Sequence, residues 1–337
     1  MIEVKTRKNP CLLYIFNGLH CCFFLWYDIE MIVKGIDFSD NPLILAPMAG
    51  VSDVGFRALA SSFGADATVT EMLSARAMAH NPKKTEFMTL TTEEEKILIA
   101  QIFGHEEDFM QKAISSPLLE KFQVIDINMG CPAPKIVKNG EGVALMDNIP
   151  LASKIISTCK NSTGKPLSVK FRKGNKSENF LDFAKMCEEC GADYVTFHAR
   201  TASQGYSGHA DYDAIASVKA KLKIPVIGNG DVVDKKSFEE MKATGVDGVM
   251  IGRGAMGKPW IFAELKGNNV EIDRFKVVQR HVQILREHFD ENWLKLYIRK
   301  HLLWYASNLP MSASLRLKLA TCENIDECLE ILKNAFD

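Results

Sequence analysis

Short apolar runs and amphipathic stretches alternate along most of the chain. Eight β-rich runs recur at fairly even spacing, and most are continuously apolar, which is typical of parallel strands covered by helices. Helical patterns lie between them, and several end in glycine, a common helix stop. The apolar runs cover residues 43–48, 67–72, 97–102, 123–128, 167–171, 193–198, 224–229 and 247–252, and the helical patterns cover 53–64, 106–122, 178–191, 212–222 and 235–245.

This alternation predicts an α/β fold, a (β/α)8 TIM barrel spanning residues 31–265. A doubly wound sheet is the alternative, but it usually has fewer strands and a glycine-rich turn after the first one. No GxGxxG motif follows residues 43–48. From about residue 272 the chain reads as helices only, which predicts a small all-helical C-terminal domain over 270–337.

The first thirty residues do not fit the repeating pattern. Basic residues precede an apolar stretch at 11–27, an arrangement found in signal sequences and membrane anchors. The stretch is short for a membrane span, contains Asn17, Gly18 and His20, and has no small-residue cleavage site. We therefore expect residues 1–30 to be a dispensable extension, a start-site artefact or a poorly ordered tail, with the protein proper beginning at Met31.

Composition narrows the class of protein. Hydrophobic residues make up 47% of the 337 residues, enough for a large core. The 41 Lys and Arg residues against 42 Asp and Glu exclude a globally basic coat but allow a local basic patch. The nine cysteines lack the spacing of a disulfide framework, which favours a reducing compartment, and we expect a cytoplasmic protein. Cys187 and Cys190 have no second CxxC pair or histidine cluster nearby, so we expect no metal site.

Polar or glycine-containing segments follow nearly every predicted strand. Because the chemistry of a TIM barrel gathers at the C-terminal ends of its strands, these residues predict a site there. They are Pro47, Met48 and Ala49, Glu71, Gln101, Asn128 with Cys131, Lys170 with Arg172, His198 with Arg200, Asn229 with Gly230 and Asp231, and Gly252 with Arg253.

Three of these positions indicate an anionic ligand. The segments GNGD (228–231) and GRG (252–254) follow the seventh and eighth strands, where barrels commonly bind phosphate through backbone N–H groups, and Arg253 adds a fixed charge. Lys170 lies within a strand, where an unpaired cation is costly. It predicts an anionic neighbour such as a reduced flavin, a role that His198 could share; taken singly, each residue also fits a purely structural role.

Cys131 lies just past the end of the fourth apolar run, between Gly130 and Pro132. A structural cysteine is expected inside such a run, among other apolar side chains. Placement in a loop at the mouth of the barrel therefore favours a functional thiol.

Together these stretches resemble the tRNA-dihydrouridine synthase family, most closely its bacterial DusB-type branch. The resemblance runs from about Met31 to Phe262 and is carried by LAPMAGVSDVGFR, DINMGCPAPKIVKNGEGVALM, FHARTASQGYSGHADY and GVMIGRGAMGKPWIF. It implies an FMN-bearing barrel joined to a helical domain, which reduces specific uridines of tRNA with NADPH as the reductant. Residues 1–30 match nothing in the family pattern.

The resemblance also implies roles for individual residues. Cys131 would be the proton donor to C5 of uracil, since a thiol with a pKa of about 8.5 is protonated at neutral pH. The flavin ring would lie against Pro47, Met48 and Ala49, and its pyrimidine edge would form a hydrogen bond with Gln101. Lys170 and His198 would lie by the polar side of the ring. The residues that would hold the flavin phosphate are Asn229, Gly230, Asp231, Gly252 and Arg253. Our candidates for gripping a flipped-out uridine are Asn128, Arg172 and Arg200.

Residues 274–318 carry nine Lys or Arg and three Asp or Glu, together with Trp293, Tyr297, Trp304 and Tyr305. This stretch is a candidate tRNA-facing surface, although a solvated helix face with core aromatics fits equally well. We expect a monomer that has tRNA and NAD(P)H as partners and does not bind a membrane. Two rival functions stay open, an FMN-dependent reductase of a free pyrimidine and an inactive RNA-binding barrel.

Overall fold

Eight parallel strands close into a barrel in the structure, a computed structural model that describes residues 2–7, 28–307, 309 and 312–336. The strands are β1 Ile2–Arg7, β2 Asp28–Val33, β3 Ile36–Asp40, β4 Leu43–Leu45, β5 Ala67–Val69, β6 Leu73–Ser74, β7 Ile97–Phe103, β8 Val124–Met129, β9 Leu167–Arg172, β10 Tyr194–His198, β11 Val226–Asn229 and β12 Gly248–Ile251.

Closure of the barrel follows from the pairing of β4, which lies between β12 and β5. The remaining neighbours pair in chain order from β7 to β12, and β5 pairs with β7, all in parallel. The two-residue strand β6 continues the second barrel strand alongside β7. These strands are almost entirely buried, as their apolar runs require when helices cover the outside. The predicted TIM barrel and all eight predicted strands are confirmed.

Helices follow the barrel strands along the chain, and polar side chains cap several of them. Asp53 caps α1, Asp211 caps α8, and Asp234 forms a capping box with Ser237 at the start of α9. The helices are α1 Val54–Ser62, α2 Ala75–His80, α3 Lys83–Glu86, α4 Glu107–Ile114, α5 Pro134–Lys138, α6 Ile149–Asn161, α7 Phe180–Glu189, α8 Tyr212–Lys221, α9 Lys235–Lys242, α10 Ile261–Leu265, α11 Arg274–Arg286, α12 Glu291–Tyr305, α13 Ser312–Thr321 and α14 Ile325–Phe336.

A small antiparallel sheet, β1–β2–β3, precedes the barrel and was not predicted from the sequence. Met31, Val33 and Phe38 are fully buried in one cluster with the inward-facing side chains of the barrel strands. Lys34 of the β2–β3 turn donates to the carbonyls of Gly164 and Lys165, just before β9 begins. The hairpin therefore closes the end of the barrel opposite the strand C-termini.

The four C-terminal helices α11–α14 share a second hydrophobic cluster with α1 of the barrel, as the sequence predicted for a helical region. A disulfide between Cys322 and Cys328 joins the end of α13 to α14, which the cysteine spacing did not predict. Among the described residues no helix is long and apolar enough to cross a membrane. Most of the expected N-terminal extension, residues 8–27, lies outside the described part of the chain.

Candidate active site

A cavity of about 870 Å³ opens at the C-terminal ends of the barrel strands. This is the end where barrel enzymes carry their chemistry, and its volume suits a cofactor together with part of a substrate. All but two of the predicted site residues line it: Pro47, Met48, Ala49, Asn128, Cys131, Lys170, Arg172, His198, Arg200, Asn229, Gly230, Asp231, Gly252 and Arg253.

The loop formed by Gly130, Cys131 and Pro132, here called the Cys131 loop, is fixed from two sides. Asn128 at the end of β8 accepts hydrogen bonds through Oδ1 from the N–H groups of Gly130 (3.1 Å) and Cys131 (2.9 Å). From the other side, the Val143 N–H donates to the Cys131 carbonyl at 3.1 Å. Gly142 has a φ of 61°, and a Cβ there would come within 2.6 Å of that carbonyl oxygen, so only glycine fits.

The Cys131 thiol lines the cavity in a half-buried position. Burial raises its pKa above the ordinary range, and the nearby charges of Arg172 and Lys170 only partly oppose that effect. The thiol is therefore protonated at neutral pH. It is equipped to give a proton to a bound molecule rather than to attack it as a thiolate.

Lys170 provides a positive charge on the cavity wall. Its Nζ donates to Asn229 Oδ1 at 2.9 Å, and Asn229 in turn donates to the Met250 carbonyl, so the ammonium group is aimed across the barrel. Burial, together with the nearby Arg172 charge, lowers the pKa of Lys170 to about 8. Burial, followed by the nearby positive charges of Lys170 and Arg172, lowers the pKa of His198 far below neutrality. Lys170 is thus mostly charged at pH 7, whereas His198 offers a neutral imidazole.

The two glycine segments meet beside Asp231 and Arg253. Gly230 has a φ of 138°, and a Cβ there would lie 2.6 Å from Ala210 Cβ, which makes glycine necessary. The Asp231 carboxylate is neutralised within the protein: it contacts Arg200 Nη2 at 2.6 Å and Arg253 Nη2 at 3.2 Å. This end of the cavity can therefore bind an anion through backbone N–H groups, Arg253 and the remaining donors of Arg200.

Arg172 and Arg200, two of the candidates for gripping a substrate, hold the loop at residues 201–208. Arg172 Nη1 donates to the carbonyls of Thr201 and Gly205, and Arg200 donates to those of Ser207 and Gly208. Arg200 is 1% exposed. Although it is buried, its Nη1 has no hydrogen-bond partner among the described residues. An unsatisfied buried donor on a cavity wall indicates a place for a ligand acceptor.

Tyr206, at the tip of the same loop, was not singled out from the sequence although it lies within the FHARTASQGYSGHADY stretch. It is 59% exposed on the cavity wall. Its ring centroid lies 4.6 Å from Arg253 Cζ and 5.6 Å from Arg172 Cζ. The guanidinium groups are thereby stacked on an aromatic face at the mouth of the cavity.

Two predicted site residues do not line the cavity: Glu71, which accepts from the Gly50 N–H and the Tyr297 hydroxyl, and Gln101. Gln101 is fully buried behind Asn128, with Nε2 donating to Asp126 and Oε1 accepting from Asn128. The strand register explains this, because Gln101 on β7 lies directly beside Asp126 on β8. Its contacts in the structure are thus made to protein groups beneath the cavity.

A second buried polar cluster joins the barrel to the C-terminal helices. Asp53 Oδ2 lies 2.7 Å from His301 Nε2 and Asp53 Oδ1 lies 3.2 Å from His281 Nε2, while Tyr305 bonds the other nitrogen of His281. All four side chains are buried. Asp53, His281 and His301 are residue types that bind metals, but their direct hydrogen bonds account for the arrangement, and the expectation of no metal remains a prediction.

The aromatic residues of the candidate tRNA-facing stretch serve mainly to pack the helices. Tyr305 is buried, and Trp304 packs directly against Gly257. Tyr297 donates from its hydroxyl to the Glu71 carboxylate, and Trp293 stacks on the Tyr297 ring. The interpretation of these side chains as core aromatics therefore fits the structure, and they do not form an open stacking surface.

The basic residues of that stretch divide into paired and unpaired groups. Arg280 pairs with Glu94, and Arg286 with Glu291 and Asp326. No ion pair joins Lys295, Lys300 or Lys318 to another described residue. Lys300 reaches over Gly50 at the rim of the cavity, where a Cβ would come within 2.5 Å of its Nζ. A local positive charge from the helices therefore lies at the cavity mouth.

Comparison with known proteins identifies the family. A family model described as Dihydrouridine synthase (Dus) matches residues 44–337. A "Probable tRNA-dihydrouridine synthase" of Rickettsia conorii is 36% identical over 297 residues, covering 84% of this chain and 89% of the relative. A "tRNA-dihydrouridine synthase B" of Pectobacterium carotovorum is 36% identical over 311 residues, covering 88% and 96%.

Among solved structures, a 2-naphthoyl-CoA reductase complex aligns with a TM-score of 0.53 at 9% identity, covering 71% of this chain and 52% of that one. At such low identity the likeness concerns the fold alone. The family match, by contrast, spans the barrel and the C-terminal helices, and it agrees with the resemblance in the sequence. The chain therefore belongs to the dihydrouridine synthase family, and it is similar over most of its length to bacterial tRNA-dihydrouridine synthases, B-type ones among them.

Proposed function

We propose that the protein reduces the C5–C6 double bond of specific uridines in tRNA, using FMN as cofactor and NADPH as reductant. Residues 31–265 would form the catalytic domain, and the helical region 270–337 would help to bind tRNA. The observation that carries the proposal is the shared cavity, which brings a protonated thiol, a lysine charge and a glycine-rich anion site together. Membership of the family supplies the reaction class.

The residues of the cavity fit FMN. The phosphate would be held by backbone N–H groups of the two glycine segments and by Arg253, and the orphaned Arg200 Nη1 would gain an acceptor. Lys170 and neutral His198 would donate to the polar edge of the ring, and the Lys170 charge would favour its anionic reduced form. Pro47, Met48 and Ala49 provide an apolar surface for the ring.

When bound and reduced, the flavin supplies the hydride that adds to C6 of uracil. Cys131 then has to provide the proton at C5, and its raised pKa keeps that proton in place until the base arrives. After donation the thiolate lies near Lys170 and Arg172, whose charges stabilise it until it regains a proton from water. A positioned general acid of this kind typically contributes about a hundred- to ten-thousand-fold in rate.

A uridine stacked within folded tRNA has to be flipped out to enter the cavity, at a cost of about a few kcal/mol. Lysines around the mouth offer phosphate contacts that offset this cost. Lys135 and Lys138 on α5 are exposed next to the Cys131 loop, and Lys300 lies over Gly50 at the rim. Arg172, with donors beyond those that hold the 201–208 loop, remains our candidate for gripping the base, together with Asn128.

The test is reconstitution of the purified protein with FMN, followed by NADPH and either unmodified tRNA, free uracil or orotate. We expect a yellow protein that forms dihydrouridine in tRNA and leaves the free pyrimidines unchanged. Reduction of a free pyrimidine in preference to tRNA would favour the rival reductase. Failure to take up FMN would refute the assignment of the cavity, and tRNA binding without turnover would favour an inactive RNA-binding barrel.

A further inference from the structure

A chain of three buried side chains lies directly beneath the Cys131 loop. Gln101 Nε2 donates to Asp126 Oδ2 at 2.6 Å, and Asn128 Nδ2 donates to Gln101 Oε1 at 2.8 Å. Asn128 Oδ1 then accepts from the backbone N–H groups of Gly130 and Cys131. None of the three side chains is more than 6% exposed. A buried carboxylate is thus connected to the reactive thiol's own backbone by consecutive hydrogen bonds.

The direction of every hydrogen bond in this chain is fixed by its two ends. Backbone N–H groups can only donate, so Asn128 must present its oxygen to the Cys131 loop and its NH2 to Gln101. An ionised carboxylate can only accept, so Gln101 must present its NH2 to Asp126 and its oxygen to Asn128. Amide orientations are often ambiguous, but here both ends independently require the same one.

We propose that Asp126 is a positioning residue, which orients the Cys131 loop for proton delivery through Gln101 and Asn128. The proposal rests on the proposed role of Cys131 as the general acid. It explains why Gln101 is buried away from the cavity, and why a carboxylate lies in the barrel core on β8, the strand that ends in the reactive loop. We call Asp126, Gln101 and Asn128 the relay.

The surroundings of Asp126 allow its carboxyl group to be ionised at neutral pH, as the relay requires. Its Oδ1 accepts from Ser168 on β9, and Lys170 on the same strand adds a positive charge. Burial raises the pKa of Asp126 to about 6, against these opposing effects, so the carboxyl is mostly ionised above pH 7. Ser168 lies on the side away from Gln101 and contacts no relay member other than Asp126. It provides a control position in the same buried layer.

Without its carboxylate, the relay loses the group that fixes Gln101. The Gln101 amide is then free to turn, which places its NH2 against the NH2 of Asn128 and releases the oxygen of Asn128 from the loop. The Cys131 loop would become mobile, and its thiol would spend more time exposed, with a pKa closer to the ordinary range. Alkylation of Cys131 reports this change directly, because iodoacetamide reacts with exposed thiolates.

The first experiment compares Asp126→Ala with Ser168→Ala in the FMN-loaded protein. Cys131 alkylation is followed by peptide mass spectrometry, and oxidation of the reduced flavin by tRNA is followed by stopped flow. We expect Asp126→Ala to raise the alkylation rate and to slow flavin oxidation by about 10- to 100-fold, as for the loss of a hydrogen bond to a charged group. Ser168→Ala removes one hydrogen bond to the carboxylate but leaves the carboxylate and its contact with Gln101 in place, so it should change both rates less than Asp126→Ala does. Equal effects in the two variants, or none in Asp126→Ala, would overturn the proposal.

If Asp126→Ala does not fold, a second experiment moves the negative charge from Asp126 to position 101 and tests the same proposal. Gln101→Glu sets two carboxylates against each other and should disturb the loop. Adding Asp126→Asn restores a donor–acceptor pair with the charge moved by one strand, so the double variant should recover wild-type alkylation of Cys131. A double variant no better than Gln101→Glu would refute the relay. The alkylation result does not depend on what Cys131 does in catalysis, so failure of the relay and failure of the acid role remain distinguishable.

Discussion

Replacing Asp53 with alanine tests how the C-terminal helices are attached to the barrel. The carboxylate caps α1 by accepting from the Phe56 N–H at 2.9 Å, and it bonds His301 and His281 from α12 and α11. All of these partners are buried, so water cannot replace the lost oxygens. The substitution therefore removes a helix cap and leaves two buried imidazoles without their acceptor.

The size of the effect follows from these contacts. Loss of a helix cap costs about 1 kcal/mol. A buried imidazole N–H left without its acceptor costs about 1–3 kcal/mol, and two are affected here. Since these two costs share one carboxylate, we take about 4 kcal/mol in total. With an unfolding entropy of about 2.1 cal/mol/K per residue, a chain of this length loses about 6 °C in Tm.

The assay is thermal unfolding by circular dichroism, with Asp273→Ala as the matched control. Asp273 caps α11 by accepting from the Lys276 N–H, but it is exposed and contacts no buried histidine. The control should lower Tm by about 1 °C. If Asp53→Ala lowers Tm no more than the control does, the buried cluster does not attach the helices to the barrel, and our reasoning about it is wrong.

Three further predictions concern acid stability, cofactor binding and the N-terminal extension. Burial lowers the pKa of His301, so just below about pH 6.5 the histidine is protonated in the unfolded chain but not in the folded one. The free energy of unfolding should therefore fall as the pH drops through that value, by up to about 1.4 kcal/mol per pH unit. Urea unfolding at pH 5 and pH 7.5 would detect this loss of stability. Arg253→Ala should weaken FMN retention about tenfold or more by losing a charge-assisted contact to phosphate, measured by flavin fluorescence on dilution. A chain starting at Met31 keeps the buried Met31, Val33 and Phe38, so it should fold and complement a strain lacking dihydrouridine synthase; a folded but inactive product would show that residues 1–30 matter.

The barrel and the composition of the cavity were predictable because each depends on local pattern. Continuous apolar runs identify buried parallel strands, and the topology of a TIM barrel then places all residues that follow these runs at one end. Lys170, Asn229 and Arg253, which are far apart in sequence, line one cavity for that reason. Glycine positions such as Gly142 and Gly230 could be recognised as special, but their reasons are tertiary contacts.

The structural features that sequence reasoning missed depend on register and docking. Gln101 lies near the end of the expected strand, yet its side chain meets Asp126 because of the pairing between β7 and β8. Asp53 meets His301, a residue 248 positions away, only because α12 docks on α1. The aromatic residues of α12 were ambiguous for the same reason, since a helical pattern does not say which face another part of the chain will cover. Asp126, a charged residue within an apolar run, is the sequence signal for this buried hydrogen-bonded chain.

Cys131→Ala tests the central claim most directly, through separate stopped-flow measurements of the two half-reactions. The variant should bind FMN and be reduced by NADPH at the wild-type rate, because neither step involves the proton for uracil. Oxidation of the reduced flavin by tRNA should then slow by orders of magnitude, as expected for a lost general acid, with tRNA still bound through its phosphates. If the variant oxidises its reduced flavin with tRNA at the wild-type rate, Cys131 is not the acid, and the proposed chemistry of the cavity is wrong.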